Sequence, residues 1–186
     1  SGRRDHVLLL LAVQTGLRLS EITGLRAADV RFGTGAHVHV LGKGRKERCT
    51  PLANQTQVVL RSWMSRDLGP EPVTLFPSAR GSRLSADGVQ YLVAKHVATA
   101  GRACPSLTRK RVTPHVLRHT TAMELLQAGV DRSVIALWLG HESLETTQIY
   151  LDADLTLKER VLDKVAPPGV QARRYRPEDK LMAFLS

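Results

Sequence analysis

A histidine and an arginine three residues apart, His115 and Arg118, fall in the run Thr-Pro-His-Val-Leu-Arg-His from Thr113 to His119. Thr113 is a good N-cap and Pro114 suits the first helical position, so the run predicts a helix that starts here. On that helix His115 and Arg118 share a face. An imidazole beside a guanidinium near a helix N-terminus suits an anion, and the planar arginine fork matches two phosphate oxygens. Gly129 then ends the helix, Asp131 is placed to cap a second one running to Leu139, and the turn Gly140-His141 delivers another imidazole. Ser143 starts a further helix, which carries Tyr150. A phosphodiester gains negative charge on its oxygens as it is attacked, so pre-placed cations lower the barrier. A free phenol has a pKa near ~10, and to attack phosphorus it needs cationic neighbours and a proton acceptor. Tyr150 and His115 are the candidates for nucleophile and acceptor.

His115 and His119 also stand four residues apart on one helix, the spacing of a zinc-binding pair. The glutamate that zinc hydrolysis requires is absent, because Val116 occupies its position. No metal is assigned, and His119 is read as a helix residue packing near the site.

Charge points to the same kind of ligand. Lys and Arg outnumber Asp and Glu by 27 to 17 in 186 residues, a net charge of +10 with a pI near 10.3, which makes nucleic acid or an anionic membrane surface the natural partner. Arg45, Lys46 and Arg48 are placed on a turn, Arg109, Lys110 and Arg111 on a loop, and Arg173, Arg174 and Arg176 on a tail. All are read as exposed positions, and Arg45, Lys46, Arg48, Arg109, Lys110 and Arg111 as contacts to DNA phosphates. Cys49 and Cys104 lack metal-ligand or redox spacing and read as reduced thiols of a cytosolic protein. Arg3-Arg4 before Val7 to Val13 imitates a twin-arginine signal, but no small-residue cleavage site follows and the apolar run is too short to span a bilayer. It is read as a buried helix, with no membrane association.

The elements that must position these groups are mostly helical. Arg4 to Thr15 reads as a core helix ended by Gly16, and Ser20 as the cap of a short helix containing Glu21, which leaves Arg18 on the connection beside the interior. An acid three residues after an arginine can fix its rotamer. Ala36 to Leu41 alternates, Gly42-Lys43-Gly44 punctuates, and Glu47 to Leu52 resumes an extended pattern, which predicts a β-hairpin with Lys43 at its turn. Gln55 to Leu68 and Ser85 to Ala100 read as amphipathic helices, with Trp63 and Tyr91 packed in the core. Arg102 to Val112 is basic and irregular. Leu155 to Val165 predicts one more helix before Pro167-Pro168-Gly169, followed by a basic segment and the amphipathic stretch Glu178 to Leu185. The expectation is a mainly α fold with a small antiparallel β-sheet, one domain over residues 1–165 and a tail over 166–186.

Taken together, His115-x-x-Arg118, Leu139-Gly140-His141 and Tyr150 resemble the C-terminal half of the tyrosine recombinase, or phage integrase, signature. The match extends backward. Thr15 to Glu21 is similar to the first arginine box of that family, and Gly42 to Arg48 to its lysine-bearing hairpin turn. Five short boxes in register carry weight that none has alone.

The resemblance implies the catalytic-domain fold of that family, with the separate N-terminal clamp domain missing from this chain, and a catalytic set of Arg18, Lys43, His115, Arg118, His141 and Tyr150, supported by Glu21. Arg18 and Arg118 would clamp the non-bridging oxygens, with His115 and His141 donating further hydrogen bonds. Tyr150 would form a 3′-phosphotyrosyl intermediate, and Lys43 would protonate the leaving 5′-oxygen; Lys46 is the second candidate for that lysine. Because the covalent bond conserves the phosphodiester energy, neither a nucleotide cofactor nor a metal is needed. The implied partner is double-stranded DNA, with no small-molecule substrate, and the implied assembly is a tetramer on DNA from a monomer or weak oligomer, in a bacterial or phage-encoded cytoplasmic setting. The tail would dock on a neighbouring protomer, on its own domain, or not at all. Two other readings stay open at this point: DNA relaxation of the type IB topoisomerase kind, and a DNA-binding module without catalysis.

Overall fold

The computed structural model describes residues 2–42, 46–68 and 74–140. Lys43, Arg45, His141, Tyr150 and the whole 166–186 tail lie outside the described residues. Helix α1 (Gly2–Thr15) leads into the short α2 (Leu19–Gly24), then strands β1 (Val30–Arg31), β2 (His37–Leu41) and β3 (Glu47–Pro51). Helices α3 (Asn54–Arg66), α4 (Ala86–Gly101), α5 (Pro114–Gln127) and α6 (Arg132–Leu139) follow, with a 3₁₀ turn at Pro105–Arg109 inside the predicted irregular segment. This is the expected mainly α architecture with a small antiparallel sheet.

Local chemistry explains most of these boundaries. The Thr113 hydroxyl accepts from the Val116 N–H at the start of α5, Ser85 accepts from Gly88 at the start of α4, and Asp131 accepts from Ser133 at the start of α6. Helix α2 departs from expectation: its N-cap is Arg18 rather than Ser20, and the cap is closed by the Glu21 carboxylate accepting from the Arg18 backbone N–H at 2.7 Å. The strand β1 was not anticipated, because two residues carry no period.

The sheet runs β1-β2-β3, antiparallel throughout, with Val38 opposite Thr50 and Val40 opposite Arg48. Since side chains alternate faces, Val38, Val40, Arg48 and Thr50 all point inward. Arg48 is therefore not an exposed turn residue. It is 7% exposed, and its place as a DNA contact is corrected by the register itself.

One apolar cluster joins Leu8 and Leu11 of α1, Val38 of the sheet, Leu60 and Trp63 of α3, and Val89, Leu92 and Val93 of α4. A second joins Ala122 and Leu125 of α5 to Val134, Ile135, Trp138 and Leu139 of α6. Hydrogen bonds stitch the second to the first: Trp138 Nε1 donates to the Thr15 carbonyl at 3.1 Å, and the Thr121 hydroxyl to that of Val13 at 2.7 Å. Trp63 is core, as its spacing implied. Tyr91 is not: it is 72% exposed, because α4 buries the stripe through Val89, Leu92 and Val93 and Tyr91 points away from it.

Asp5 clamps α1 to α4. Its carboxylate, 2% exposed, takes two hydrogen bonds from Arg4 at 3.0 and 2.7 Å and a third contact from His96 of α4 at 3.0 Å. Burial alone would raise the Asp5 pKa, but the bonds and charges of His96 and Arg4 outweigh it and hold the carboxyl below its ordinary value. A folded pKa below the unfolded one contributes stability that is full above the unfolded value and is lost as pH falls through the folded one. Asp5→Asn is expected to cost about 2 kcal/mol in urea unfolding at pH 7, and its difference from the wild type is expected to shrink towards pH 3.

Candidate active site

Arg118 leaves the first turns of α5 and is 8% exposed. Its Nη1 donates to the Gly16 carbonyl at 2.6 Å and its Nη2 to the Leu139 carbonyl at 2.8 Å. One guanidinium thus joins the end of α1 to the end of α6, where the unsatisfied carbonyls of helix C-termini carry partial negative charge. Gly16 suits this position twice over. Its φ is +62°, and a Cβ there would lie 2.6 Å from the Leu139 side chain.

Arg18 enters from the opposite side. Its Nη2 donates to the Gly140 carbonyl at 2.9 Å, one residue on from the carbonyl that Arg118 holds. Its Nη1 pairs with Glu21 Oε1 at 3.2 Å. The expected rotamer lock between Arg18 and Glu21 is present. Glu21 has a second and stronger partner, because Arg48 reaches it from β3 with a bidentate pair of bonds at 2.8 Å each. Burial pulls the Glu21 pKa up, yet the bonds and charge of Arg48, followed by Arg18, bring it below its ordinary value.

The Arg48 side chain also lies against Gly140, which has φ +69°; a Cβ at that glycine would meet the guanidinium at 2.8 Å. The turn that leads to His141 is therefore braced twice, by Arg18 through a hydrogen bond and by Arg48 through contact. The role of Arg48 escaped the sequence reading. A signal was present, in that Arg48, Thr50 and Leu52 alternate in phase along a strand, and an inward arginine demands an inward acid.

Three guanidiniums, those of Arg18, Arg48 and Arg118, share this region with one carboxylate. Desolvation, then the charges of Arg18 and Arg48, push the Arg118 pKa down to about 10, with Glu21 acting in the opposite sense. Among the described residues Glu21 is the one carboxylate in contact with these guanidiniums, so the cluster carries a net positive charge.

His115 stands on the first turn of α5, and with Arg18, Arg118, Leu17, Leu19 and Gln90 it lines an open cleft of about 500 Å³. His119 sits one turn on, and the two Nε2 atoms are 2.6 Å apart with the rings edge to face, the donor being set by the tautomers. Desolvation, then His115 and Arg118, lower the His119 pKa and favour its neutral form. His119 thus occupies one nitrogen of His115 and orients its ring. Among the described residues no group of three or more His, Cys, Asp or Glu is placed to hold a metal ion.

The described structure therefore brings together Arg18 and Glu21 at the start of α2 with His115 and Arg118 of α5, two elements distant in sequence. Lys46, Arg109, Lys110 and Arg111 lie on the surface. Lys43, Arg45, His141 and Tyr150 lie outside the described residues, although Gly140, which directly precedes His141, is fixed against Arg18 and Arg48.

Comparison with known proteins agrees with this geometry. The phage integrase family model matches residues 1–156. The chain is 63% identical over all 186 residues to a putative integrase/recombinase, y4rC, of Sinorhizobium fredii, covering 56% of that protein. It is 39% identical over 165 residues to the tyrosine recombinase XerC of Neisseria meningitidis serogroup B, matching 88% of this chain and 52% of the relative. The chain thus spans about half the length of the curated relatives it matches. Among solved structures, the XerH site-specific recombinase in a pre-cleavage complex with its difH substrate superposes with a TM-score of 0.65 at 27% identity, over 84% of this chain and 42% of that one. The integrase of mycobacterium phage Brujita shares the fold, with a TM-score of 0.74 at 22% identity over the whole of this chain and 58% of that one. The chain belongs to the phage integrase family, the tyrosine recombinases.

Proposed function

We propose that this chain is the catalytic part of a site-specific DNA recombinase or integrase, which breaks and rejoins duplex DNA through a covalent bond between a tyrosine and a 3′-phosphate. The observation that carries the reading is the cleft in which Arg18 and Arg118 are fixed to adjacent carbonyls, in a cluster where three guanidiniums meet one carboxylate among the described residues. A backbone phosphate seated there would meet donors already in place, so little reorganisation is required as charge grows on its oxygens.

In this reading the Tyr150 oxygen attacks phosphorus, the phenolic proton passes to His115, and the bond from phosphorus to the 5′-oxygen breaks as Lys43 protonates that oxygen. His141 donates to a non-bridging oxygen beside Arg18. Religation is the reverse with a new 5′-hydroxyl, and the phosphotyrosine bond keeps the energy of the bond it replaces. No nucleotide cofactor or metal enters the sequence of steps. The names of the relatives support recombination over simple relaxation. Four such chains would act together on two duplexes, with the 166–186 tail as a docking segment between protomers, and the setting would be the cytoplasm of a bacterium or of a phage host.

Glu21 and Arg48 enter the chemistry at one remove. Without the carboxylate, Arg18 loses its lock and Arg48 becomes a buried cation without a partner. Glu21→Gln keeps the shape and removes the charge; it is expected to lower stability by about 3 kcal/mol and cleavage by about 100-fold, while DNA affinity is kept, since one negative charge is lost. Adduct yield, urea unfolding and DNA titration check the three parts, and unchanged cleavage would show that Glu21 does not hold Arg18 for the reaction. Tyr150→Phe is expected to abolish the SDS-resistant protein–DNA adduct on a nicked duplex while leaving binding within about twofold, because affinity is spread over many phosphates. An adduct that survives this substitution would exclude Tyr150 as the nucleophile.

A further inference from the structure

The cleft that holds Arg18, His115 and Arg118 does not end at Arg18. It continues into a second groove of about 710 Å³ that shares Arg18 and Leu19 with the first and passes between α2 and the start of α4, where Ser20, Thr23, Arg83 and Ser85 line it. Two guanidiniums and three hydroxyls face this space, and among the described residues no carboxylate lines it. The neighbouring pocket on the other side of Arg83, towards the β2-β3 hairpin, is lined by Glu21, Asp29 and Glu47. A polyanion leaving the Arg18 cleft is therefore repelled on one side of Arg83 and accepted on the other.

Arg83 is held rigidly for an arginine that is largely exposed. Its Nη2 donates to the Ser20 carbonyl at 2.8 Å and to the Thr23 hydroxyl at 2.8 Å, and its Nε reaches the same hydroxyl at 3.3 Å. The loop behind it is closed by the Pro77–Arg83 bridge and by Ser78 N–H donating to the Ser82 carbonyl at 2.7 Å. Arg4 fixes that loop in turn by donating to the Pro77 carbonyl at 2.7 Å. The Nη1 edge of Arg83 makes no hydrogen bond among the described residues. A surface arginine that serves only solubility has no need of such anchoring, whereas a phosphate contact gains from it because the guanidinium is pre-positioned.

We propose that this groove is a second phosphate site, in which the Arg83 guanidinium binds the DNA backbone phosphate next to the one seated between Arg18 and Arg118, on the same strand. The inference rests on the recombinase reading given above. Its function is to fix the direction in which the strand leaves the reaction centre, with no demand on base identity.

The test is the salt dependence of binding of the chain to a 30-base-pair duplex, followed by fluorescence anisotropy across a sodium chloride series. Removing one phosphate contact is expected to reduce the slope of log affinity against log salt by about 0.9, a loss of roughly eightfold at 0.1 M salt. Arg83→Gln should show this loss equally on two duplexes of unrelated sequence, and Arg83→Lys should retain most of the slope. Arg80→Gln removes the same charge from the same loop, outside the groove lining, and should leave the slope unchanged. Because Arg83 also braces α2, Ser85→Asp provides a second route. Aspartate caps α4 as well as serine does, and it places a negative charge in the groove without touching the bonds of Arg83. It should weaken binding at least as much as Arg83→Gln.

Equal effects of Arg80→Gln and Arg83→Gln, or normal slopes in both Arg83→Gln and Ser85→Asp, would overturn the proposal while leaving the recombinase reading intact. A wild-type chain that bound no duplex at any salt would remove that reading, and the proposal with it.

Discussion

One buried carboxylate holds this site together. Glu21 accepts from the backbone and side chain of Arg18 and from both terminal nitrogens of Arg48, so it caps a helix, locks a clamp residue and neutralises an inward arginine of the sheet. Three guanidiniums in one neighbourhood repel one another, and desolvation together with the charges of the other two holds the Arg118 pKa down to about 10. A second acid would halve the net charge of the cluster and weaken its attraction for phosphate. With none, the desolvation of so many cations would not be repaid. Among the described residues the balance is one acid against three bases, which satisfies Arg48 and locks Arg18 while leaving the cluster net positive.

The remaining stabilisation comes from main-chain oxygen. Arg118 satisfies the carbonyls of Gly16 and Leu139, and Arg18 that of Gly140, so the ends of α1 and α6 are finished by the side chains that would bind the phosphate. The same bonds join the two apolar clusters, since α6 belongs to the second cluster and α1 to the first. Folding and site assembly are thus one event. The orientation of Arg118 is fixed by where two helices stop, which is a property of their caps and glycines rather than of any loop.

Much of this was legible in the chain. Thr113, Ser85 and Asp131 announced three helix starts, Gly16 and Gly140 two ends, and the alternation around Gly42 a hairpin. Arg18, His115 and Arg118 were identified as members of one site, and the structure brings them to one cleft. The misreadings have physical causes. Arg48 was placed at the surface because charge outweighed strand phase in the reading, while in the protein the register with Val40 turns it inward to Glu21. Helical spacing from apolar neighbours points Tyr91 inward, but the buried stripe of α4 runs through Val89, Leu92 and Val93 and leaves Tyr91 outside it. Arg18 rather than Ser20 caps α2, because the acid at Glu21 serves a backbone N–H and needs no hydroxyl there. The pairing of His115 with His119 was hidden by a spacing that suggests a metal pair as readily as a hydrogen bond.

The contact between Arg48 and Gly140 ties two distant stretches of sequence into one unit of inheritance. A relative with a shorter residue at the strand position would have room for a side chain at the glycine, subject to its left-handed backbone, whereas this chain has none. The hairpin and the turn that ends at Gly140 can therefore be exchanged separately only with homologues that keep both the arginine and the glycine. Recombination among such genes is expected to preserve the pair, and a chimera assembled at a junction between them would carry a defect that neither parent shows.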